Sequence, residues 1–340
     1  MVLYSDSGVD ISLEEKTVSN IASILKSTLK NQEIITESGH FAALVKLGNN
    51  AIAMSTDGVG SKILIAEMMK KYDTVGIDCI AMVVNDILCV GAEPIALVDY
   101  LAVEKPDIEI AGEIAKGLVK GANLSNIAII GGETASIPDV VKGFDLAGTG
   151  IGIVDIDKII SGENIADGDV LIGLKSTGIH SNGLSLARKA IFDIAKLSLD
   201  DKVLTSENTV GEELLKPTEI YVKAINDLLK KDFEIKGLAH ITGGGVNNLK
   251  RLNKNVGFEI DNFPQPQDIF KLIHDTGVPI EEMYAVFNMG IGFIIIVKEN
   301  EADSIVEFLN KYHNAYKIGK VNSNKGKINI KTYTDEIIKY

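Results

Sequence analysis

Residues 55–62 have the sequence Ser-Thr-Asp-Gly-Val-Gly-Ser-Lys, and they join two predicted elements of different kinds. The apolar run at 51–54 predicts a β-strand, and the helix-forming run at 63–69 predicts an α-helix. Glycines let a backbone approach a ligand closely, and the first N–H groups of a helix attract anions. The stretch therefore predicts a phosphate-binding turn in which Asp57 could hold a divalent metal and Lys62 could neutralise a phosphate.

The spacing within this stretch is not that of a Walker A loop, which has four residues between its first glycine and its Gly-Lys pair. The simpler alternative is a glycine-rich turn between a strand and a helix, with Lys62 in solvent. Taken alone, the stretch does not decide between these two interpretations.

Length and composition indicate an ordinary globular protein of two domains. The chain has 340 residues, 46% of them hydrophobic and 24% charged, and this length exceeds the usual size of one domain. With 34 basic and 47 acidic residues, the formal net charge is −13. An acidic surface repels a phosphate backbone, so a nucleic acid is not expected as a partner.

Cysteine content and hydropathy predict a cytoplasmic protein. Cys79 and Cys89 lie in one apolar stretch and form no C-x-x-C motif, so reduced core cysteines are expected. The N-terminus has no basic region followed by an apolar one, and no signal peptide is expected. The longest apolar stretch, at 77–92, is interrupted by acidic and amide side chains and is too short and too polar to span a membrane.

Predicted strands and helices alternate along the chain, which indicates an α/β or α+β fold. A polar, glycine-containing stretch near 155–168 predicts a boundary between an N-terminal domain at 1–160 and a C-terminal domain at 161–340. A helix is predicted at 217–231 because a proline stands at its start, and 34–47 is predicted to be loop-like.

The predicted helix at 72–90 carries one polar strip. Asp78, Asn85 and Asp86 fall within about 100° of one another at 3.6 residues per turn. The rest of the helix is apolar, so the strip is predicted to be largely buried. Because burying a charge without a partner is costly, a metal, a lysine or water is expected to face it.

Four motifs share one pattern, in which an apolar strand or helix ends in glycines and a polar residue. They are Asp57 to Lys62, Asn85-Asp86, Gly131-Gly132-Glu133-Thr134 and Thr242-Gly243-Gly244-Gly245. Three of them carry a carboxylate, a hard oxygen ligand that suits Mg²⁺ bound to nucleotide phosphates. The last motif opens a predicted helix and indicates an anion site or, alternatively, a tight turn that needs glycine.

A fifth motif, at 176–183, connects a predicted strand to a helix and contains His180, Ser181 and Asn182. On the residues alone, Ser181 or Asn182 is interpreted as the helix N-cap. A lone histidine such as His180 is more often a neutral core residue bonded to backbone than a catalytic one.

Taken together and in this order, the motifs resemble the phosphoribosylformylglycinamidine cyclo-ligase family, also called AIR synthetase, of purine biosynthesis. The resemblance runs through most of the chain, in the segments YSDSGVDI at 4–11, STDGVGSK at 55–62, VGIDCIAMVVNDILCVGAEPIALVDYLA at 75–102, GGETASIP at 131–138, STGIHSNGLSLARK at 176–189, LLKPTEIYVK at 214–223, AHITGGG at 239–245 and MYAVFNMGIG at 283–292. The HSNG, PTEIYVK and FNMGIG elements favour this family over related ATP-binding enzymes such as thiamine-monophosphate kinase.

The resemblance implies a homodimer in which the N-terminal sheets of two subunits pair into a barrel, while the C-terminal domain forms an α/β layer. ATP would bind beside the N-terminal motifs with Mg²⁺, and the need for a monovalent cation stays open. The implied reaction turns ATP and formylglycinamidine ribonucleotide into aminoimidazole ribonucleotide, ADP and phosphate through an O-phosphorylated amide.

The resemblance also implies roles for single residues. His180, Lys62 and Asn182 would be catalytic. Asp57, Asp86 and Glu133 would hold the metal. ATP and substrate would contact members of the four motifs, namely Asp57, Gly58, Gly60, Ser61, Lys62, Asn85, Asp86, Gly132, Glu133, Thr134, Thr242, Gly243, Gly244 and Gly245.

One loop departs from the family pattern. The family usually has Gly-Gly-Phe-Gly, then Ala or Gly, then Leu after its first helix, whereas residues 38–44 read Ser-Gly-His-Phe-Ala-Ala-Leu. The phenylalanine and the leucine remain, but glycines are replaced. We expect the loop still to face the substrate.

Two other functions are compatible with the motifs. One is phosphoryl transfer from ATP to a different amide or carbonyl oxygen by an enzyme of the same superfamily. The other is an inactive ATP-binding dimer that regulates or scaffolds. Absence of aminoimidazole ribonucleotide after incubation with the two expected substrates would exclude the cyclo-ligase, and tight nucleotide binding without substrate-dependent ADP release would indicate the inactive dimer.

Overall fold

The computed structural model describes residues 3–8, 11–36 and 39–340, and two β-sheets form its framework. The strands are β1 (Ala43–Leu47), β2 (Asn50–Gly58), β3 (Glu93–Val103), β4 (Ala128–Ser136), β5 (Phe144–Asp155), β6 (Val170–Lys175), β7 (Ile235–His240), β8 (Gly257–Ile260), β9 (Ile291–Val297), β10 (Ala315–Asn322), β11 (Ile328–Lys331) and β12 (Ile337–Lys339). The α-helices are α1 (Ile11–Leu25), α2 (Lys62–Met69), α3 (Val75–Leu88), α4 (Ile108–Ser125), α5 (Leu184–Arg188), α6 (Val210–Leu214), α7 (Val222–Leu229), α8 (Asp268–Asp275), α9 (Ile280–Val286) and α10 (Ala302–Leu309).

The first sheet has five strands in the order β1-β2-β5-β3-β4. Its neighbours are antiparallel except β3 and β4, which are parallel and are connected by α4. Asp107 is the N-cap of α4, and its carboxylate accepts hydrogen bonds from two backbone N–H groups of the first turn. The mixture of parallel and antiparallel strands with helices confirms the predicted α/β (α+β) class.

Helix α3 lies close to β5 because alternate residues of that strand are glycines. A Cβ atom at Gly148 would lie 3.0 Å from Cys79 Sγ, and one at Gly150 would lie 2.5 Å from a methyl group of Val83. Larger residues would push the helix off the sheet. Cys79 and Cys89 are buried and form no disulfide, as the sequence predicts.

The other face of this sheet, here called the open face, carries exposed apolar side chains. Met54, Val98, Tyr100 and Ile153 are between 38% and 44% exposed. Side chains alternate along a strand, and the strand register places these four opposite the glycines that contact α3. The open face is therefore an apolar surface on a sheet whose reverse side is the core.

The second sheet has seven strands in the order β12-β11-β8-β10-β6-β9-β7. Its neighbours are antiparallel except β8 and β11. All seven residues of β9 are buried. The sequence Ile-Gly-Phe-Ile-Ile-Ile-Val of that strand is a continuous apolar run, which is typical of a strand covered on both faces.

The predicted helix at 217–231 is wrong in its first third, because α7 begins only at Val222. The preceding residues have no regular secondary structure and contact α3. The N–H of Tyr221 donates to Asn85 Oδ1 over 3.1 Å, and the Asn85 amide donates to the Glu219 carbonyl over 2.8 Å. Side chains of α3 thus satisfy backbone groups that a helix would otherwise have paired internally.

Two other expectations about local structure also need correction. The segment at 34–47 is not all loop, because it contains strand β1, which pairs with β2 from Ala43 opposite Met54. The motif at 131–134 does not follow a strand, because it lies inside β4. Within the described ranges, no helix combines the length and the apolar character needed to cross a membrane.

Candidate functional site

Two of the predicted metal ligands approach each other where β2 meets α3. Asp57 is the next-to-last residue of β2, and Asp86 lies in the last turn of α3. Burial and, second, the negative charge of Asp86 raise the pKa of the Asp57 carboxyl to about 6. The N–H of Gly58, which donates to Asp57 Oδ1 over 2.7 Å, acts in the opposite direction. The structure therefore brings these two carboxylates to one place.

A buried histidine completes this group. His240 Nδ1 donates to Asp86 Oδ1 over 2.8 Å, while Nε2 faces the Asn85 amide at 3.5 Å. This arrangement fits the tautomer with its proton on Nδ1. His240 ends β7, inside the AHITGGG segment, and we call Asp57, Asp86 and His240 the carboxylate site.

Lys62 is the first residue of α2 and is fully buried. Its ammonium group donates to Asp78 Oδ1 over 2.9 Å and to the Lys216 carbonyl. Burial lowers the pKa of Lys62, and the charge of Asp78 partly restores it. The expectation that a lysine faces the polar strip of α3 is confirmed. The phosphate-binding role of Lys62 stays a prediction, and in this structure both of its partners are protein oxygens.

His180 is also fully enclosed. Its Nε2 accepts hydrogen bonds from the N–H groups of Thr177 and Glu219, over 3.3 and 3.4 Å. The proton must then reside on Nδ1, which has no partner in the described part of the chain. Burial holds the pKa of His180 well below its usual value, and the charges of His240 and Lys62 add to this. His180 is therefore neutral, and its catalytic role stays a prediction.

Asn182 lies between α3 and the glycine loop at 242–245. Its amide contacts Met82 Sδ at 3.8 Å, and a Cβ atom at Gly243 would lie 3.2 Å from its side-chain oxygen. Gly244 has a φ of +99°, which only glycine adopts readily, and it precedes the 3₁₀ helix Gly245–Arg251. The predicted glycine loop thus starts a helical turn beside Asn182.

The loop after β2 contacts the start of α5. The Ser185 hydroxyl donates to the Ser61 hydroxyl over 3.1 Å. The helix N-cap position of α5 is Gly183, and no side chain caps it, so neither Ser181 nor Asn182 fills the capping role considered for them. The turn at 55–62 in the N-terminal half therefore contacts the C-terminal half through the Ser61–Ser185 hydrogen bond.

Glu133 is not brought to the carboxylate site of its own chain. In the strand register, Gly148 of β5 lies between Asp57 of β2 and Asp99 of β3, and Asp99 lies opposite Gly132 of β4. Residues opposite one another in a sheet point to the same side, which here is the side of α3. The next residue, Glu133, must point to the open face. It is exposed there, two strands beyond β5 in the sheet order.

Thr134 lines a different cavity, on the helix side of the sheet. This cavity has a volume of about 600 Å³ and lies between the end of β3, the start of α4 and the strand that follows. Leu101, Phe144 and Tyr72 form apolar parts of its wall, and Glu67 and Glu104 are among its charged lining residues. Gly132 lies on the same side of β4 as Thr134, but of these two predicted contact residues only Thr134 lines the cavity.

Sequence reasoning did not single out three residues that contribute to this region. They are His240, which bonds Asp86, Arg251, whose charge lowers the pKa of Asp57, and His40, on whose pKa the charge of Asp86 acts. His240 lies in a motif that was recognised only for its glycines. His40 stands in the loop that departs from the family pattern, and Ser38 of that loop is outside the described residues. Nothing in the local sequence marks Arg251.

Comparison with known families identifies both halves of the chain. Residues 39–154 match the N-terminal domain of AIR synthase related proteins, and residues 166–331 match the C-terminal domain. The chain is 66% identical to the phosphoribosylformylglycinamidine cyclo-ligase of Methanobrevibacter smithii over 340 residues, which is 100% of each chain. It is 56% identical to the protein of that name from Methanocaldococcus jannaschii, covering 94% of this chain and 92% of the relative.

Solved structures of lower identity share the fold. The chain aligns with a chain of a HypE–HypF complex at a TM-score of 0.66 and 21% identity, covering 88% of this chain and 92% of the other. It aligns with AaThiL, complexed with AMPPCP and TMP, at a TM-score of 0.65 and 15% identity, covering 91% of each chain. The matched domains and the full-length identity show that this chain belongs to the phosphoribosylformylglycinamidine cyclo-ligase family of AIR synthase related proteins.

Proposed function

We propose that this protein cyclises formylglycinamidine ribonucleotide to 5-aminoimidazole ribonucleotide with consumption of ATP, in purine biosynthesis. The observation that supports this most strongly is 66% identity over the whole length to a relative named for that ligase activity. The carboxylate site adds chemical support, because paired acidic groups beside glycine loops suit a bound metal–nucleotide complex.

The residues of the carboxylate site fit Mg²⁺. Asp57 and Asp86 are carboxylates that repel each other in a partly buried place, as the raised pKa of Asp57 indicates. A divalent cation between them would remove this repulsion. The described residues include no ready-made group of three or more protein ligands. Mg²⁺ commonly takes only one or two carboxylates and fills its remaining positions with water and substrate phosphates. Asp57 and Asp86 would hold it, and it would neutralise charge on the triphosphate.

The chemistry needs positioning more than acid–base catalysis. The formyl oxygen is a poor leaving group, and transfer of the γ-phosphoryl group forms a C–O–P linkage while the bond to ADP breaks. The amidine nitrogen then attacks the same carbon and expels phosphate, which closes the five-membered ring. We assign Asn182 and the backbone of 242–245 to hold the substrate beside the phosphoryl donor.

His180 contributes to this proposal as a neutral group. Its low pKa, which burial causes, excludes a general acid at neutral pH, whereas a proton fixed on Nδ1 can donate a hydrogen bond. Lys62 remains available to phosphate only if its ammonium leaves Asp78 and the Lys216 carbonyl. We therefore give the orienting role first to Asn182 and His180.

The decisive experiment is incubation of the purified protein with ATP, Mg²⁺ and synthetic formylglycinamidine ribonucleotide. We expect aminoimidazole ribonucleotide and ADP in equal amounts. ADP release with a different amide and none with this substrate would instead support another phosphoryl-transfer enzyme of the superfamily. Tight ATP binding without ADP release would support an inactive ATP-binding dimer.

We also infer that two copies pair through the open face. An apolar sheet face of this kind on a water-exposed surface marks an interface between proteins. Glu133 points to the same face, so pairing would place it at the interface. Replacing Tyr100 by Glu should yield monomers in analytical ultracentrifugation, while Asp139→Asn, an exposed change outside the strands, should leave dimers. A wild-type protein that sediments as a monomer would remove the proposal.

A further inference from the structure

A histidine and an arginine outside the predicted set meet at Phe41. The rings of His40 and Phe41 contact edge to face, with centroids 5.7 Å apart. The guanidinium carbon of Arg251 lies 5.1 Å from the centroid of the Phe41 ring. Phe41 is buried, so it holds a cation from the C-terminal half against the loop from the N-terminal half.

His40 lacks the hydrogen bonds that a shielded imidazole normally makes. Solvent reaches neither ring nitrogen, and neither has a hydrogen-bond partner among residues 3–8, 11–36 and 39–340. Burial lowers the pKa of His40, and the nearby Ser161 backbone counteracts this, but no bond of normal geometry forms between them. Because a shielded polar group without a partner is costly, the ring indicates a place for a ligand atom.

Arg251 is a permanent positive charge that forms no ion pair in the described part of the chain. It is the last residue of the 3₁₀ helix that starts in the glycine loop. Strand β1 pairs with β2 from Ala43 opposite Met54, and continuing this antiparallel register three residues leads from Ala43 back to His40 and from Met54 on to Asp57, so the loop that Arg251 contacts at Phe41 lies at the end of the sheet that carries the carboxylate site. The side chain is exposed, so its N–H donors are accessible from solvent.

We propose that His40 and Arg251 together bind a phosphate group next to the carboxylate site. A phosphate oxygen can accept hydrogen bonds from an imidazole N–H and, two oxygens at a time, from a guanidinium. The carboxylates alone would repel such an anion, and Arg251 supplies the opposite charge. This proposal rests on the proposed function, because the two expected substrates of that reaction are the molecules that would carry the phosphate.

Two phosphate carriers are compatible with this chemistry. One is the triphosphate of ATP, and the other is the 5-phosphate of the ribonucleotide substrate. The test measures binding by isothermal titration calorimetry, with Mg²⁺ and a non-hydrolysable ATP analogue as one probe and ribose 5-phosphate as the other. Binding needs no turnover, so the result does not depend on product formation.

The variants are Arg251→Gln, His40→Gly and His40→Phe, with Lys254→Gln as a matched control. Lys254 is an exposed cation three residues beyond Arg251, and its removal changes the net charge equally. We expect Arg251→Gln to weaken one probe by at least about 10-fold and the other by no more than about 2-fold. His40→Phe keeps a ring against Phe41 without its nitrogens, and both His40 variants should weaken the same probe.

Three results would overturn the proposal. The first is unchanged affinity of Arg251→Gln for both probes. The second is equal weakening of both probes, which would indicate a general electrostatic effect of the lost charge or a deformed site. The third is a wild-type protein that binds neither probe. If both probes bind as expected but no aminoimidazole ribonucleotide forms, the proposed function fails and the phosphate site stands. Melting temperatures of all variants show whether each is folded.

Discussion

Asp78 and Asp86 lie on the same side of α3, eight residues apart, yet they have opposite surroundings. Asp78 is fully buried, and its Oδ1 accepts from Lys62 Nζ, from the Thr218 N–H and from the Thr218 hydroxyl. Asp86 is 14% exposed and receives one hydrogen bond, from His240. The number of protein donors distinguishes a carboxylate that joins parts of the fold from one that remains available to a cation.

The largest effect should follow loss of the Lys62 charge. Lys62→Met leaves the buried Asp78 with only the Thr218 donors, and removing one partner of a buried ion pair typically costs about 3–5 kcal/mol. We expect the free energy of unfolding to fall by about that amount. Urea unfolding followed by circular dichroism measures it.

The control for this prediction removes both charges. The double variant Lys62→Met with Asp78→Leu should recover much of the lost stability, because an apolar pair leaves no buried charge unpaired. A Lys62→Met protein of wild-type stability would contradict the assignment of this pair to the fold and would favour the phosphate role for Lys62.

The second effect concerns Asp57 and pH in metal-free protein. Its folded pKa of about 6 exceeds the value of 3.8 for an unperturbed carboxyl, so the folded state holds the proton more tightly. The contribution of the protonated Asp57 carboxyl to the stability of the fold is therefore greatest below about pH 4, and it is lost as the pH rises through about 6. The difference between these two pKa values corresponds to about 3 kcal/mol at most.

The measurement compares unfolding free energies at several pH values between 4 and 7, with a chelator present. Wild type should lose stability across this interval relative to Asp57→Asn, which cannot titrate. Asp167→Asn, an exposed change, should follow wild type. Parallel curves for wild type and Asp57→Asn would refute the raised pKa.

The third effect tests the other half of the comparison. Asp86→Asn keeps an oxygen that can accept from His240 but loses the charge. We expect kcat/KM with Mg²⁺ to fall about 100-fold, or about 2.7 kcal/mol of transition-state stabilisation, with little change in melting temperature. Full activity at limiting Mg²⁺ would remove Asp86 from the metal site.

The sequence predicted periodic features of the fold well. The polar strip of α3 and its partner lysine could be inferred because helix geometry fixes which side chains share a face. Most strands were found from apolar runs, and β1 was missed because its residues form a short strand at the sheet edge. The start of α7 was misplaced because tertiary bonds from Asn85 decide the conformation of the preceding residues.

The candidate site was predictable only in part. Motif order pointed to Asp57 and Asp86, and the structure brings these together. Glu133 has the same motif pattern, but the alternation of side chains along β4 sends it to the open face. Proximity of His40 and Arg251 could not be inferred, because 211 positions separate them and only the tertiary fold joins them at Phe41.

The smallest effect examines how Asp78 is held. The Thr218 hydroxyl donates to Asp78 Oδ1 over 2.7 Å, and a hydrogen bond to a charged acceptor is worth about 1.5–3 kcal/mol. Thr218→Val preserves the shape of the side chain and the N–H donor, so it should cost about 2 kcal/mol in urea unfolding, less than Lys62→Met. Thr218→Ser keeps the hydroxyl and should cost less again. If Thr218→Val equals Lys62→Met in cost, the lysine charge contributes nothing beyond one hydrogen bond, and the contrast between Asp78 and Asp86 must rest on burial alone.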